Sequence, residues 1–226
     1  MLAQRLSATL QSLENAAVAG HRPRPALLAV SKTQTATAVA ELAACGQRAF
    51  GENYVQEAQA KINELAALDL EWHMIGHLQS NKAELAATLF DWVQTVDRLK
   101  LVAALSRHRP PARAPLNVLI QVNIDDEASK HGCRPQQVAG LAEAIACEPR
   151  LRLRGLMAIP APHPDIERRR PAYRAMATLF DTLAADHSGA DTLSMGMSDD
   201  YPLAIAEGAN MVRIGTALFG PRPSRT

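Results

Sequence analysis

Eight short apolar runs, each parted from the next by a helix-patterned stretch, leave this chain few folds to choose from. An opening helix precedes them: Leu2, Leu6, Leu10 and Leu13 share one face, and Gly20 and Pro23 end it. The runs predict strands over 26–30, 48–50, 71–75, 91–96, 116–123, 151–159, 191–194 and 210–214. Between them the spacing predicts helices over 36–44, through Leu65 after a turn at Gly51-Glu52-Asn53, through Thr88 after Gly76, and to Arg107 behind an Asp97 cap. Further helices enter at Pro135, span 166–186, and end at Ala206. The stiff loop Pro160-Ala-Pro162-His-Pro164 cannot pair in a sheet.

A doubly wound open sheet would need a Gly-rich dinucleotide loop after its first strand, and Ser31-Lys32-Thr33-Gln34 is not one. The alternation predicts an α/β protein instead. It is a single (β/α)8 TIM barrel domain over 1–226, with an extra N-terminal helix at 2–20 and the barrel at 26–220. Aromatics are only 4% of the residues, so Ala, Leu, Val and Ile must fill the core.

A net charge of +1 gives no electrostatic reason to expect nucleic acid or an anionic membrane as partner. The basic run Arg168-Arg169-Arg170 reads as a solvated face. Cys45, Cys133 and Cys147 are far apart and form no CxxC pair, which fits reduced thiols in a cytoplasmic protein. No signal peptide and no bilayer-spanning stretch is read, and without an evident apolar seam a monomer is expected.

Lysines number five against nineteen arginines, so Lys32 at the end of the first apolar run is not a default surface cation. Either it snorkels to water, or partial desolvation frees its amine to form a Schiff base with a carbonyl. In a barrel the loops after the strands share one mouth. There Lys32 would meet Asn53, Gly76-His77, Asn123, Ser198, Arg213, Gly215 and Thr216. The loops after strands seven and eight are where barrels bind phosphate, and Gly196, Ser198, Gly215 and Thr216 suit that task. Arg213, between Val212 and Ile214, points into the mouth or pairs with a buried acid. A lysine, a phosphate cradle and a partner for a ring nitrogen are the needs of pyridoxal phosphate.

Longer motifs sharpen this. Leu28-Ala-Val-Ser-Lys32, Phe50-Gly-Glu-Asn-Tyr-Val-Gln-Glu57, Trp72-His-Met-Ile-Gly-His-Leu-Gln-Ser-Asn-Lys82 and Arg154-Gly-Leu-Met-Ala-Ile159 come in order. Ser194-Met-Gly-Met-Ser-Asp-Asp200 and Met211-Val-Arg-Ile-Gly-Thr-Ala-Leu-Phe-Gly220 follow. Together they resemble the YggS/PROSC family of pyridoxal phosphate homeostasis proteins from about Leu2 to Gly220. The resemblance implies a barrel like the N-terminal domain of alanine racemase, with pyridoxal 5'-phosphate held as a covalent aldimine on Lys32. It also implies Arg213 at the pyridine nitrogen, Ser198, Gly215 and Thr216 at the phosphate, and Asn53 near the cofactor.

Other signals are set aside. His73 and His77 are four apart, but Gly76 intervenes and no glutamate follows His73, so no metal is expected. Asn123-Ile-Asp-Asp-Glu127 lacks the spacing of a calcium loop, and Lys130 reads as solvated. No Gly-x-Ser-x-Gly supports a hydrolase. A racemase needs acid/base groups on both faces of the substrate carbon, and in two-domain alanine racemases one comes from an additional domain. The chain stops at Thr226 soon after the last strand, leaving Tyr54, Tyr173 and Tyr201. The expected function is vitamin B6 homeostasis without evident catalysis, with pyridoxal phosphate-dependent apo-enzymes as transient recipients. A weak amino-acid racemase using Lys32 and Tyr201 is the alternative.

Overall fold

A computed structural model describes residues 1–127 and 130–220. The first helix, α1 (Leu2–Ala19), buries Leu6, Thr9, Leu13 and Ala17 at helical spacing. Leu2 and Leu10 flank that stripe and are only half-buried. After it, strand and helix alternate: β1 (Ala26–Val30), α2 (Ala36–Ala44), β2 (Ala49–Glu52), α3 (Val55–Glu64), β3 (Glu71–Met74), α4 (Ala83–Leu89), β4 (Trp92–Val96) and α5 (Leu99–His108). Then come β5 (Leu116–Val122), α6 (Val138–Ala146), β6 (Leu151–Ala158), α7 (Arg170–Asp186), β7 (Thr192–Ser194), α8 (Tyr201–Ala206), β8 (Met211–Ile214) and α9 (Thr216–Phe219).

All eight strands run parallel in one closed barrel, in the order β1 to β8, and closure pairs Leu28 with Arg213 and Ala29 with Ile214. Parallel strands covered on the outside by helices should be near-continuous in apolar character, and β4 is buried along its whole length. The main core lies between strands and helices, while two separate apolar clusters, Leu28–Ile75–Met211 and Trp92–Leu119–Met157, occupy the barrel interior. The helix α1 packs on α2, α8 and α9, outside the point where the barrel closes.

Two local features fix helix starts, and only the Pro135 entry is read from the sequence. Thr35 caps α2 by accepting from the Ala38 N–H at 3.2 Å, and Pro135 opens a 3₁₀ turn that leads into α6. The Asp97 cap is not formed. Arg98 occupies the N-cap of α5, and Asp97 instead accepts from its guanidinium, a stronger partner than a backbone N–H. The long helix expected over 166–186 is a 3₁₀ turn (Ile166–Arg169) followed by α7, with Pro171 in its first turn. Nor is the arginine run a solvated face. Arg168 is exposed, but Arg169 binds Asp200 and the His163 carbonyl, and Arg170 binds Glu167 and Glu207.

Candidate functional site

The amine-bearing loop is clamped on both sides. Ser31 is fully buried and donates to Glu52 at 2.6 Å, while its own N–H reaches the Gly51 carbonyl at 3.0 Å. Past Lys32, the Thr33 N–H reaches Glu57 on α3 at 2.5 Å. One buried ammonium ties these together: Lys61 donates to the Ser31 carbonyl at 2.7 Å, to Glu52 at 2.8 Å and to Glu57 at 2.7 Å. Burial pushes the Glu52 carboxyl up, against the pull of Lys61 and Ser31, and its Oε2 has no partner among the described residues. Lys32 itself is half-buried at the end of β1, held between two fixed neighbours.

Arg213, on β8, is 4% exposed. Its Nη1 donates to the Ser194 carbonyl and hydroxyl, each at 2.8 Å, and its Nη2 to the Ala158 carbonyl at 2.9 Å. The third nitrogen, Nε, has no hydrogen-bond partner among the described residues. Burial lowers the guanidinium pKa to about 10, against the opposing charges of Tyr173 and Asp200, so it remains a cation at neutral pH. Below it runs a directional chain. Ser194 donates to Gln94 Oε1 at 2.7 Å, Gln94 Nε2 donates to His73 Nδ1 at 2.9 Å, and His73 Nε2 donates to Glu71 at 2.8 Å. Burial lowers the His73 pKa, which keeps the ring neutral, as donation on one side and acceptance on the other require. Burial and the neighbouring Asp200 push the Tyr173 hydroxyl far above its usual range, so it is no base at neutral pH.

Gly215 and Thr216 follow β8 directly. A side chain at 215 would sit 3.2 Å from the Val30 carbonyl, so glycine lets this loop lie against the end of β1, beside Lys32. Ser198 sits half-buried in the turn after β7. That turn is fixed by Asp200, which accepts from the Met197 N–H at 2.8 Å and is held by Arg169 at 2.5 Å. Gly196 begins it at φ +92°, where a side chain would meet Ala204 at 2.6 Å. Tyr201 opens α8 just beyond the turn, half-buried.

Closure of β8 on β1 thus brings Lys32, Arg213, Gly215 and Thr216 to one sector of the mouth, with the Ser198 turn on neighbouring β7. Asn53 falls in a second sector, a cavity of about 240 Å³ that it shares with Gly76, His77, Gln121, Lys130, His131 and others. Lys130 is therefore not simply solvated: its side chain lines this cavity and reaches the Ile159 carbonyl at 3.3 Å. His73 and His77 part company, the first inside the barrel stacked on Trp92 and the second exposed at the rim. Burial and the neighbouring His131 lower the His77 pKa.

The donor set of the first sector suits pyridoxal phosphate: an amine on a fixed loop, a guanidinium Nε without a partner among the described residues, and a glycine cradle with two hydroxyl residues. Ser31, Glu52, Glu57 and Lys61, which fix the amine loop, escape sequence reading as functional, although Glu57 and Lys61 are spaced as an i,i+4 ion pair. Arg169 escapes it too, because nothing in the 3₁₀ turn before α7 announces the turn after β7.

Comparison with known proteins places the chain in a family. Residues 3–223 match the family described as alanine racemase, N-terminal domain. A pyridoxal phosphate homeostasis protein of Escherichia coli (strain K12) is 55% identical over 199 residues, covering 87% of this chain and 85% of its own. The structure of PipY from Synechococcus elongatus with PLP bound superposes with a TM-score of 0.84 at 36% identity, covering 97% of this chain and 100% of PipY. Alanine racemase from Corynebacterium glutamicum shares the fold, with a TM-score of 0.69 at 19% identity over 98% of this chain and 61% of its own.

Proposed function

The chain belongs to the alanine racemase N-terminal domain family and, within it, to the YggS/PROSC family of pyridoxal phosphate homeostasis proteins, and from that premise we propose that it binds pyridoxal 5'-phosphate and helps control its free level. The observation that carries the reading is the meeting of Lys32, Arg213 and the Gly215–Thr216 loop where β8 closes on β1. When bound, the cofactor supplies an aldehyde that an amine can capture and a phosphate that anchors it. Lys32 offers the amine, and the clamp on Ser31 and Thr33 fixes where that amine emerges. Arg213 offers Nε–H to the pyridine nitrogen and keeps its proton, being a cation at any ordinary pH. Ser198, Gly215 and Thr216 offer hydroxyl and backbone donors to the phosphate, and Asn53 approaches from the adjoining cavity.

A guanidinium that does not protonate the ring leaves the cofactor a poorer electron sink, a feature compatible with holding it and with racemization alike. In this reading the whole chain is one binding domain, active as a cytoplasmic monomer that passes the cofactor to apo-enzymes. Purified protein should absorb visible light, and borohydride should fix a pyridoxyl label on Lys32, read by mass spectrometry of the intact chain and its peptides. Lys32→Ala should lose both signals. A label that persists on another residue in that variant would refute the assignment.

A further inference from the structure

We propose that His77, Asp97 and His131 form a site for one divalent cation of the zinc class at the rim of the barrel mouth. Their donor atoms all lie within 4.8 Å of one another. They come from the loops after three successive strands, β3, β4 and β5. The two imidazoles are exposed and stacked, with ring centroids 3.6 Å apart and planes 14° from parallel. None of their ring nitrogens has a hydrogen-bond partner among the described residues, so both rings keep a nitrogen available to a metal ion. A tetrahedral zinc ion with bonds of about 2.0–2.1 Å separates its ligand atoms by roughly 3.3 Å. The two rings need only splay from their stack, and the carboxylate turn, to reach that spacing.

The backbones that carry these side chains are already fixed. Thr95 donates to the Gly76 carbonyl at 2.9 Å and Arg98 to the Leu78 carbonyl at 2.8 Å, one on each side of His77. The His131 carbonyl accepts from Gln121 at 3.2 Å, and Cys133 exchanges backbone bonds with Gln121 and Asn123 at 2.9 Å. Arg98 occupies Asp97 Oδ1, which leaves the other carboxylate oxygen for a ligand bond. Arg98 and Lys130 oppose a cation electrostatically, whereas two imidazoles and one carboxylate are a familiar zinc donor set. Three protein ligands leave the fourth position to water or to an oxygen donor, carboxylate or phosphate, entering the adjoining cavity. The sequence hides this site because it pairs His77 with His73, which is buried, whereas His131 lies two strands further along the chain.

The test is a titration of tag-free, chelator-dialysed full-length protein with Zn(II) by calorimetry and with Co(II) by visible spectroscopy. One equivalent should bind, Co(II) should show the intense bands of a low-coordinate site, and zinc should raise Tm by linking three loops. His77→Ala and His131→Ala should each weaken zinc by tenfold or more, as should Asp97→Asn, while circular dichroism stays unchanged. Cys45→Ser and Cys147→Ser, which remove the exposed thiols, should leave binding as it was. No saturable binding, or binding that survives the double histidine variant or follows the cysteines, overturns the site.

Discussion

Two buried polar assemblies underlie the same sector of the mouth, where β8 closes on β1, and they are built differently. Under Lys32, Glu52, Glu57 and Lys61 crowd three charges around Ser31 within one short span of chain, and one oxygen of Glu52 has no partner among the described residues. Under Arg213, two charges sit at the ends of a line, and neutral Ser194, Gln94 and His73 carry donor to acceptor between Arg213 and Glu71. That line crosses the barrel from β8 and β7 to β4 and β3, touching both interior apolar clusters through Met211 and Trp92. Concentrated charge can be assembled locally but carries a residual desolvation cost. Charge spread through neutral carriers costs less, yet depends on strands far apart in sequence meeting in register.

The sharpest way to break the contrast is Lys61→Met, which strands the buried Glu52 and should cost about 3–5 kcal/mol in urea unfolding. Adding Glu52→Gln to that variant should recover much of the loss, and a simple sum of the two single effects would show that the charges are not coupled. Next, Gln94→Leu cuts the crossing line in its middle and leaves His73 Nδ1 buried without a donor, for about 1–3 kcal/mol by the same measurement. A cost below that range would mean the line is incidental. The smallest effect belongs to its exposed end. The hydrogen bond from His73 holds the Glu71 carboxyl below the usual carboxylate range. Its stabilisation is thus present above the unfolded value of 4.5 and lost as pH falls through the lowered folded value. With Glu71 about half exposed, Glu71→Gln should cost under about 1 kcal/mol at neutral pH, and the difference should vanish in acid.

Legibility in the sequence follows the same division. The bounds of β1 and α2 agree with expectation because an apolar run and a short helical pattern ahead of Gly46 are signals read within a few residues. Other strands are one or two residues shorter or shifted, since ladder ends depend on neighbouring strands. Lys32 and Arg213 are visible as charges at the ends of apolar runs. Arg169 looks like surface because its partner Asp200 lies on another loop, and Lys61 looks like an ordinary helix residue because helix pattern carries no record of what faces it. The Asp97 cap is misread for a related reason: a guanidinium next in sequence outcompetes the backbone for its carboxylate.

The order of apolar runs and helices, together with the missing Gly-rich loop after the first run, determines a barrel from the sequence by itself, because a parallel sheet must be covered by helices and the open alternative lacks its signature. It also determines which residues stand at strand ends, and so the chemistry on offer at the mouth. Only the tertiary structure decides the partners: Arg213 with Ser194 and Gln94, Lys61 with Ser31, His77 with His131. In a parallel barrel each strand is separated from the next by a helix, and closure joins the first strand to the last. Polar partners are then distant in sequence, where no local period can encode them.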